Sequence, residues 1–591
     1  MQSRLRQEVT PSRPDTRRLI PILLALSTFT PQLHPETGHA AWLRYSPPAH
    51  PTPDSPAIIV TFENDPQILS ARDELARGLR DMFHRTLRCE TQLSAENTFV
   101  LATIPALARQ VPQLPSQQNE PNSPPESFRL HTITTAGHRY TLITSPTPSG
   151  VLYGTFALLR RLLQNEANLA TLDHSEQPQV PLRWVNEWDN LNGTIERGYG
   201  GRSIFFDNDQ VRADLSQASA YARLLASLGI NGCAINNVNA DPRILSPTFL
   251  PQLVRIAQVF RPWGVHLVLS VDFGSPKTIG DLDTFDPLDP RVAAFWQNEA
   301  NQLYAAIPDL GGFVLKADSE GRVGPSVYHR THADAANVVA RALKPHGGWL
   351  FYRGFVYDHH MDWRNLKNDR ARAAYDNFQP LDGQFDENVV VQIKNGPIDF
   401  QVREPVSPLF AALQKTNQAL ELQITQEYFG QARHTVYLVP MWKEILASPI
   451  LANLLPAPPN SPTPTQSNRQ NEPKSPVRST QNLQNEPKTP TPQAPPLRAI
   501  VGVSNVGLDP NWTGNHLSQA NLYGFGRLAW NPHLTARQIL DEWTRLTFNS
   551  NPKVLETIAA IQLPSWRNFE NYTGPYGLQT LTDITGTHYG P

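Results

Sequence analysis

Residues 311–321 read GGFVLKADSEG, a short apolar run that ends abruptly in Lys316, Asp318 and Glu320. Other stretches share this form: RWVNEWDN (183–190), GCAINNVNA (232–240) and VHLVLSVDF (265–273) precede it. GWLFYRGFVY (348–357), NVVVQIKNGPIDF (388–400), LELQITQEYFG (420–430) and LRAIVGVSNVG (497–507) follow. Stretches of helical spacing separate them, so the region reads as repeated βα units. Eight such strands predict a (β/α)8 TIM barrel with insertions. A doubly wound sheet is the alternative arrangement of the same units.

In a barrel the C-terminal strand ends converge on one rim, which carries the active site. The polar ends of the runs therefore name the candidates. They are Trp188 and Asp189 after the first strand, Asn236 and Asn237 after the second, and Asp272 after the third. Lys316 and Glu320 follow the fourth, Arg353 the fifth, Lys394 and Asp399 the sixth, and Glu427 the seventh.

Upstream, residues 41–175 mix strand-like runs (AIIVTF at 57–62, TFVLATI at 98–104, YTLITS at 140–145) with the helical pattern LSARDELARGLRDMFHRTL at 69–87. This predicts an N-terminal α/β domain over 37–178, with a disordered loop near 113–126. The barrel domain is expected over 179–591. Residues 456–498 are rich in Pro, Gln, Asn, Ser and Thr, with the near-repeats QNEPKSP and QNEPKTP. Such a composition buries too little apolar area to offset its ordering entropy, so a disordered insertion is expected there.

The leader, residues 1–36, carries five arginines up to Arg18, then the apolar run LIPILLALSTF (19–29), then a polar segment. That order matches a secretory signal peptide and implies a secreted or periplasmic protein. A disordered basic tail is the alternative. The run of about 11 residues is too short to span a bilayer, which needs about 20. No later segment is a transmembrane candidate, so no membrane partner is expected.

The chain has 591 residues, with 51 Lys+Arg against 53 Asp+Glu and a formal charge of −2. No basic run stands ready to neutralise a nucleic-acid backbone, so nucleic acid is not an expected partner. The two cysteines, Cys89 and Cys233, exclude a disulfide framework and Cys-based metal sites. His359 and His360 lack the spacing of a helical metal pair and read as loop residues. GxSxG, HExxH, Walker and strand-linked GxGxxG motifs are all missing from the chain. No metal or cofactor is expected.

A rim rich in carboxylates suits glycosidic hydrolysis, where one acid protonates the leaving oxygen and another carboxylate activates water. Lys316, Arg353 and Lys394, at the ends of three successive strands, suit an anionic substrate group such as a carboxylate. Pairing of each cation with a neighbouring rim acid is the alternative.

Long motifs in the chain carry a family resemblance. NEWDNLNGTIERGYGGRSIFF (186–206), LKADSEGRVGP (315–325), FYRGFVYD (351–358) and VVQIKNGPIDFQVREP (390–405) resemble the α-glucuronidases of glycoside hydrolase family 67. So do ITQEYFG (424–430), YLVPMWKEIL (437–446) and NWTGNHLSQANLYGFGRLAWNP (511–532). The resemblance implies a hydrolase that removes α-1,2-linked (4-O-methyl)glucuronic acid from xylo-oligosaccharides with inversion. Aldouronic acids from glucuronoxylan would be its substrates.

By the same resemblance, Glu320 is the general acid, and Asp399 and Glu427 are the pair that activates water. Lys316, Arg353 and Lys394 fall where uronate-carboxylate ligands lie, Trp188 lines the sugar pocket, and Val238 is an apolar contact to the sugar's 4-position. Asp386 and Glu404 are nearby acids expected to support this chemistry rather than carry it. An inverting arrangement places acid and base carboxyls about 6.5 to 9.5 Å apart. Glu320 must be protonated to work, and Lys316 and Arg353 oppose that until a bound uronate neutralises them.

The family's helical C-terminal domain is expected to be missing, because the chain stops at Pro591, the last residue of HYGP. The segment NYTGPYGLQTLTDITGTHYGP (571–591) also departs from the usual pattern. The oligomeric state is left open, with a homodimer as one alternative. A catalytically impaired uronide-binding protein and a glycosidase for a different uronide are the rival functions.

Overall fold

The computed structural model describes residues 36–48, 55–112, 123–356, 370–456 and 495–573. Residues 1–35 of the leader, the core of the 456–498 insertion, most of the 113–126 loop, and His359 and His360 lie outside them.

An N-terminal sheet is built from β1 (Ile58–Thr61), β2 (Arg88–Glu90), β3 (Thr98–Thr103), β4 (Phe128–Thr135), β5 (His138–Ser145) and β6 (Asp173–Glu176). Their order across the sheet is β2-β1-β3-β5-β4-β6. The period-2 alternation of a strand sorts the side chains of β3 between two cores. Phe99 and Leu101 join the main core, whereas Val100 and Ala102 join a smaller one with Leu107 and Leu142. Helices α1 (Pro66–Phe83), α2 (Ile104–Gln110) and α3 (Pro148–Leu163) accompany this sheet. Asp65 caps α1 by accepting from the Gln67 and Ile68 amides.

Strand β7 (Leu182–Asn186) begins the barrel, and a hairpin of β8 (Phe206–Asp207) and β9 (Gln210–Val211) decorates its first loop. The wall continues through β10 (Gly232–Ile235), β11 (His266–Asp272), β12 (Gly312–Lys316), β13 (Trp349–Arg353), β14 (Val389–Lys394), β15 (Asn417–Gln423) and β16 (Ala499–Val503). All pairings are parallel, and β16 returns to β7, closing an eight-stranded barrel. Helices cover parallel strands on the outside, so the strands are buried on both faces and read as short apolar runs. Across the barrel, Trp184 of β7 stacks on Phe351 of β13 with ring centroids 4.1 Å apart, a plug beneath the rim.

The connecting helices are α4 (Ser216–Ser227), α5 (Leu250–Phe260), α6 (Ser275–Thr278), α7 (Pro290–Ala306), α8 (His332–Leu343), α9 (Arg370–Phe378), α10 (Leu409–Ala412), α11 (Val439–Leu446), α12 (Pro449–Ala452) and α13 (Gln519–Trp530). Three more follow the last barrel helix: α14 (Ala536–Thr547), α15 (Pro552–Gln562) and α16 (Ser565–Thr573). Among the described residues, no helix is long and apolar enough to cross a membrane.

Buried charges join the N-terminal sheet to the barrel. Arg183 of β7 donates to the carbonyls of Gly229, Val180 and Pro181 and pairs with Glu126 at 2.5 Å. Glu74 of α1 accepts from Arg223 of α4 and from the Tyr45 hydroxyl. Each ion pair has one fully buried partner, Arg183 or Glu74, whose further hydrogen bonds offset the cost of removing its charge from water.

Candidate active site

Lys316, Arg353 and Lys394 are the last residues of β12, β13 and β14, so consecutive strands deliver three cations side by side. All three are buried. In this structure each rests on a carboxylate. Lys316 pairs with Glu320, Lys394 donates to Asp399 Oδ1 at 2.7 Å, and Arg353 Nη2 donates to Glu421 Oε1 at 2.8 Å. Burial pulls Lys316 down to about 8, and the neighbouring Arg353 and Lys394 charges add to that against the pull of Glu320. Aromatic faces complete the cluster: the Lys394 ammonium lies 3.4 Å from the Phe355 ring centroid, and the Arg353 guanidinium 5.6 Å from that of Trp188.

Glu320 sits on a tight turn after β12. Asp318 (φ +48°) and Glu320 (φ +52°) both occupy the left-handed region, followed by Gly321 at +76°. Side chains adopt that region at a cost, which functional sites tolerate when the surroundings hold the turn in place. Here Asp318 accepts from the Ser326 amide and hydroxyl, and Lys316 also donates to Asn239 at 2.8 Å. Burial raises the Glu320 carboxyl, but the Lys316 and Lys394 charges outweigh it and hold the group down to about 2. Its side chain is 29% exposed, against 6% for Asp399 and 5% for Glu427, so of these three it is the one most open to an incoming ligand.

Asp399 lies in the loop after β14. Besides Lys394, it accepts from the Tyr428 hydroxyl at 2.8 Å and from the Phe400 amide. Glu404 ties this loop by accepting from the amides of Ile398, Asp399 and Gln401, a supporting position. Glu427, after β15, is held by Arg197 at 2.8 Å and by Gln423 at 2.7 Å. Burial, followed by the charge of Asp399, raises Glu427 to about 7. Glu427 thus holds its proton far more tightly than Glu320 does.

The remaining candidates fall into place around these. Trp188 is buried beside Arg353, and its amide donates to Asn505. Val238 is buried between Asn237 and Asn239, whose amides both donate to Glu196. Asn236 is an internal tie, donating to the Ser270 carbonyl, and Asp272 lies 3.8 Å from Arg322. Asp189 is fully buried, and desolvation together with Glu187 pushes its carboxyl well up. Asp386 corrects the expectation of a nearby acid. It precedes β14, at the opposite end of the strand from Lys394, and pairs with Arg341 on α8.

Several site residues were not among the sequence candidates: Glu421, Arg197, Tyr428, Asn239 and Phe355. Glu421 carried a signal, since polar Glu421 and Gln423 alternate with Leu420 and Leu422 in a fully buried strand. A charge at an alternate position of a barrel strand marks the barrel interior. Arg197 sits in an aperiodic loop at φ +56° and carried none. Together the residues offer one partly exposed acid, two buried carboxylates in different environments, and a cationic cradle. Among the described residues, no cluster of His, Cys, Asp and Glu could hold a metal ion.

Residues 41–158 match the glycosyl hydrolase family 67 N-terminus, 162–456 its middle domain, and 513–591 its C-terminus. Helices α13–α16 fall inside the last of these matches, which overturns the expectation that the family's C-terminal part is missing. The chain is 45% identical over 563 residues to a probable alpha-glucuronidase A of Neosartorya fischeri, covering 94% of this chain and 63% of that protein. It is 43% identical over 574 residues to the alpha-glucuronidase A of Emericella nidulans, covering 94% and 63%. For the alpha-glucuronidase of Hypocrea jecorina the identity is 42% over 589 residues, covering 96% and 65%. The chain therefore spans less than two thirds of the length of these relatives.

A solved family GH115 4-O-methyl-alpha-glucuronidase, with specificity for decorated arabinogalactans, superposes with a TM-score of 0.54 at 12% identity. That match covers 88% of this chain and 63% of the other and shows a likeness of fold alone. With all three family segments matched in order along the chain, the chain belongs to glycosyl hydrolase family 67.

Proposed function

We propose that the chain is a glycosidase that removes α-1,2-linked (4-O-methyl)glucuronic acid from xylo-oligosaccharides with inversion. The observation that carries this reading is the meeting of Glu320, Asp399 and Glu427 with Lys316, Arg353 and Lys394 on one barrel rim. Water attacks the anomeric carbon under the pull of the Asp399–Glu427 pair, which takes its proton. The bond from that carbon to the xylosyl oxygen breaks, and Glu320 gives its proton to the leaving oxygen.

In the free protein Glu320 is held ionised by Lys316 and Lys394. A uronate carboxylate arriving at those ammonium groups takes over their charge. Burial then dominates and lifts the acid toward the protonated state it needs. The correct substrate thereby arms its own acid. Trp188 and Val238 supply apolar walls for the sugar ring, Val238 at the 4-position. The basic–apolar–polar leader supports export of the protein.

Incubating the purified protein with aldouronic acids and separating the products tests the reading. Release of (4-O-methyl)glucuronate supports it. Binding without release favours a uronide-binding protein, and faster release from a galacturonide favours a different uronidase.

A further inference from the structure

We propose that helix α16 is a brace that sets the two loops carrying Asp399 and Glu427 relative to each other, with Trp566 and Phe569 as positioning residues. This rests on the reading of Asp399 and Glu427 as the water-activating pair.

Each anchor reaches one loop. Trp566 Nε1 donates to the Val402 carbonyl at 2.9 Å, three residues beyond Asp399 in the chain. The next residue, Arg403, lays its guanidinium 5.1 Å from the Trp566 ring centroid, donates to Glu570 of α16 at 2.9 Å, and pairs with Glu444 of α11. Glu404 follows at once and ties the amides of Ile398, Asp399 and Gln401. The contact thus passes from α16 to Asp399 through three successive residues.

On the other side, Phe569 lies 5.7 Å from the ring of Phe429, two residues after Glu427, and meets His434 edge-on at 5.5 Å. The Tyr572 hydroxyl and His434 Nδ1 are 2.6 Å apart, and the Tyr437 amide donates to Ser565. Gln426 closes this loop on itself by donating to the carbonyls of Phe429 and His434. Trp566 and Phe569 stand three residues apart, on one face of the helix, and both are buried. The barrel wall closes through β16 and β7 without α16, so the helix adds rigidity where two loops must keep a fixed separation.

The test compares Trp566→Ala, Phe569→Ala and Arg403→Gln in the full chain, using a nitrophenyl α-glucuronide. Misplacing a reacting group by about 1 Å can cost on the order of 100-fold in rate. The expected result is a kcat lowered by about ten-fold or more for the two core variants, with KM nearly unchanged. Azide should restore part of the rate. It attacks the anomeric carbon directly, forming the C–N bond as the C–O bond to nitrophenolate breaks, and needs no base.

Equal losses in kcat/KM and melting temperature without recovery by azide would reduce α16 to structural support, and an unchanged kcat would also overturn the inference. Arg403→Gln alters a half-exposed side chain and decides the matter by the same readouts if the core variants fail to fold. Asp399→Ala and Glu427→Ala are assayed alongside. If both keep full kcat, the assignment of the base pair has failed. If they lose kcat while the α16 variants do not, the brace alone has failed.

Discussion

Arg353 and Glu421 form a buried ion pair across β14, with Nη2 and Oε1 2.8 Å apart on strands β13 and β15. Arg353 Nε and Glu421 Oε2 find no hydrogen-bond partner among the described residues. A buried polar atom without a protein partner calls for an explanation, and a bound ligand is one. A uronate carboxylate would meet an arginine already oriented and only partly used.

Glu421→Gln should therefore destabilise the protein by about 3 kcal/mol, because it leaves the Arg353 charge buried without its counterion. Urea denaturation measures this. A loss below about 1 kcal/mol would mean that water or a neighbouring group already compensates Arg353.

Arg353→Lys keeps the charge but loses the planar fork. It should weaken kcat/KM by about 1.5 to 3 kcal/mol, the worth of one charge-assisted hydrogen bond. A methyl-esterified glucuronide should be a poor substrate for the unmodified protein, and the penalty of Arg353→Lys should shrink on it. Such non-additivity is what two partners in one interaction produce. An ester cleaved as fast as the acid would return Lys316, Arg353 and Lys394 to purely structural ion pairs.

Glu320→Ala should abolish cleavage of a xylosyl leaving group and spare more of the activity on an aryl glucuronide, whose leaving oxygen needs less protonation. Equal loss on both substrates would remove Glu320 from the acid role.

The pH dependence follows from Glu427. Its carboxyl is raised from 4.5 to about 7 by burial and then by Asp399, so the folded protein holds this proton more tightly than the unfolded chain does. The associated stability is fully present below about pH 4.5 and is lost as pH rises through about 7. Glu320 acts in the opposite sense, with stability present above about 4.5 and lost as pH falls toward 2. Denaturation at pH 5 and pH 8 should show a smaller difference for Glu427→Gln than for the unmodified protein. The kcat/KM of the latter should fall as the pH drops below about 7 and Glu427, the proposed base, takes up its proton.

Replacing residues 457–494 with a short Gly/Ser connector, which keeps the buried Leu497 and the strand-bound Arg498, should leave activity and melting temperature nearly unchanged. The Leu497 amide donates to the Leu454 carbonyl at 2.8 Å, so the two ends already lie side by side. Lengthening or shortening a surface loop costs little beyond its closure entropy. A large drop in either quantity would show that the segment packs or binds.

The barrel was legible because its parallel strands are buried on both faces and turn polar where they reach the rim. That one property located both the strands and most of the residues now found together, Lys316, Glu320, Arg353, Lys394, Asp399 and Glu427 among them. Asp386 misled because eight residues of sequence separation from Lys394 look close. A six-residue strand lies between them and spans roughly 20 Å. Glu421 lies within a strand run, where its alternation with Leu420 and Leu422 marks the barrel interior but does not name its partner across β14. The pairing of each rim cation with a carboxylate, and the contact of α16 with the loops of Asp399 and Glu427, depend on long-range packing that periodicity does not encode.

Real-time proton NMR of the released sugar, with an aldouronic acid as substrate, reads cleavage, uronate recognition and stereochemistry together. The expected result is that the β-anomer of free (4-O-methyl)glucuronate appears first and then mutarotates to the equilibrium mixture. Initial appearance of the α-anomer, or no released uronate at all, would contradict the assignment of Glu320 against the Asp399–Glu427 pair.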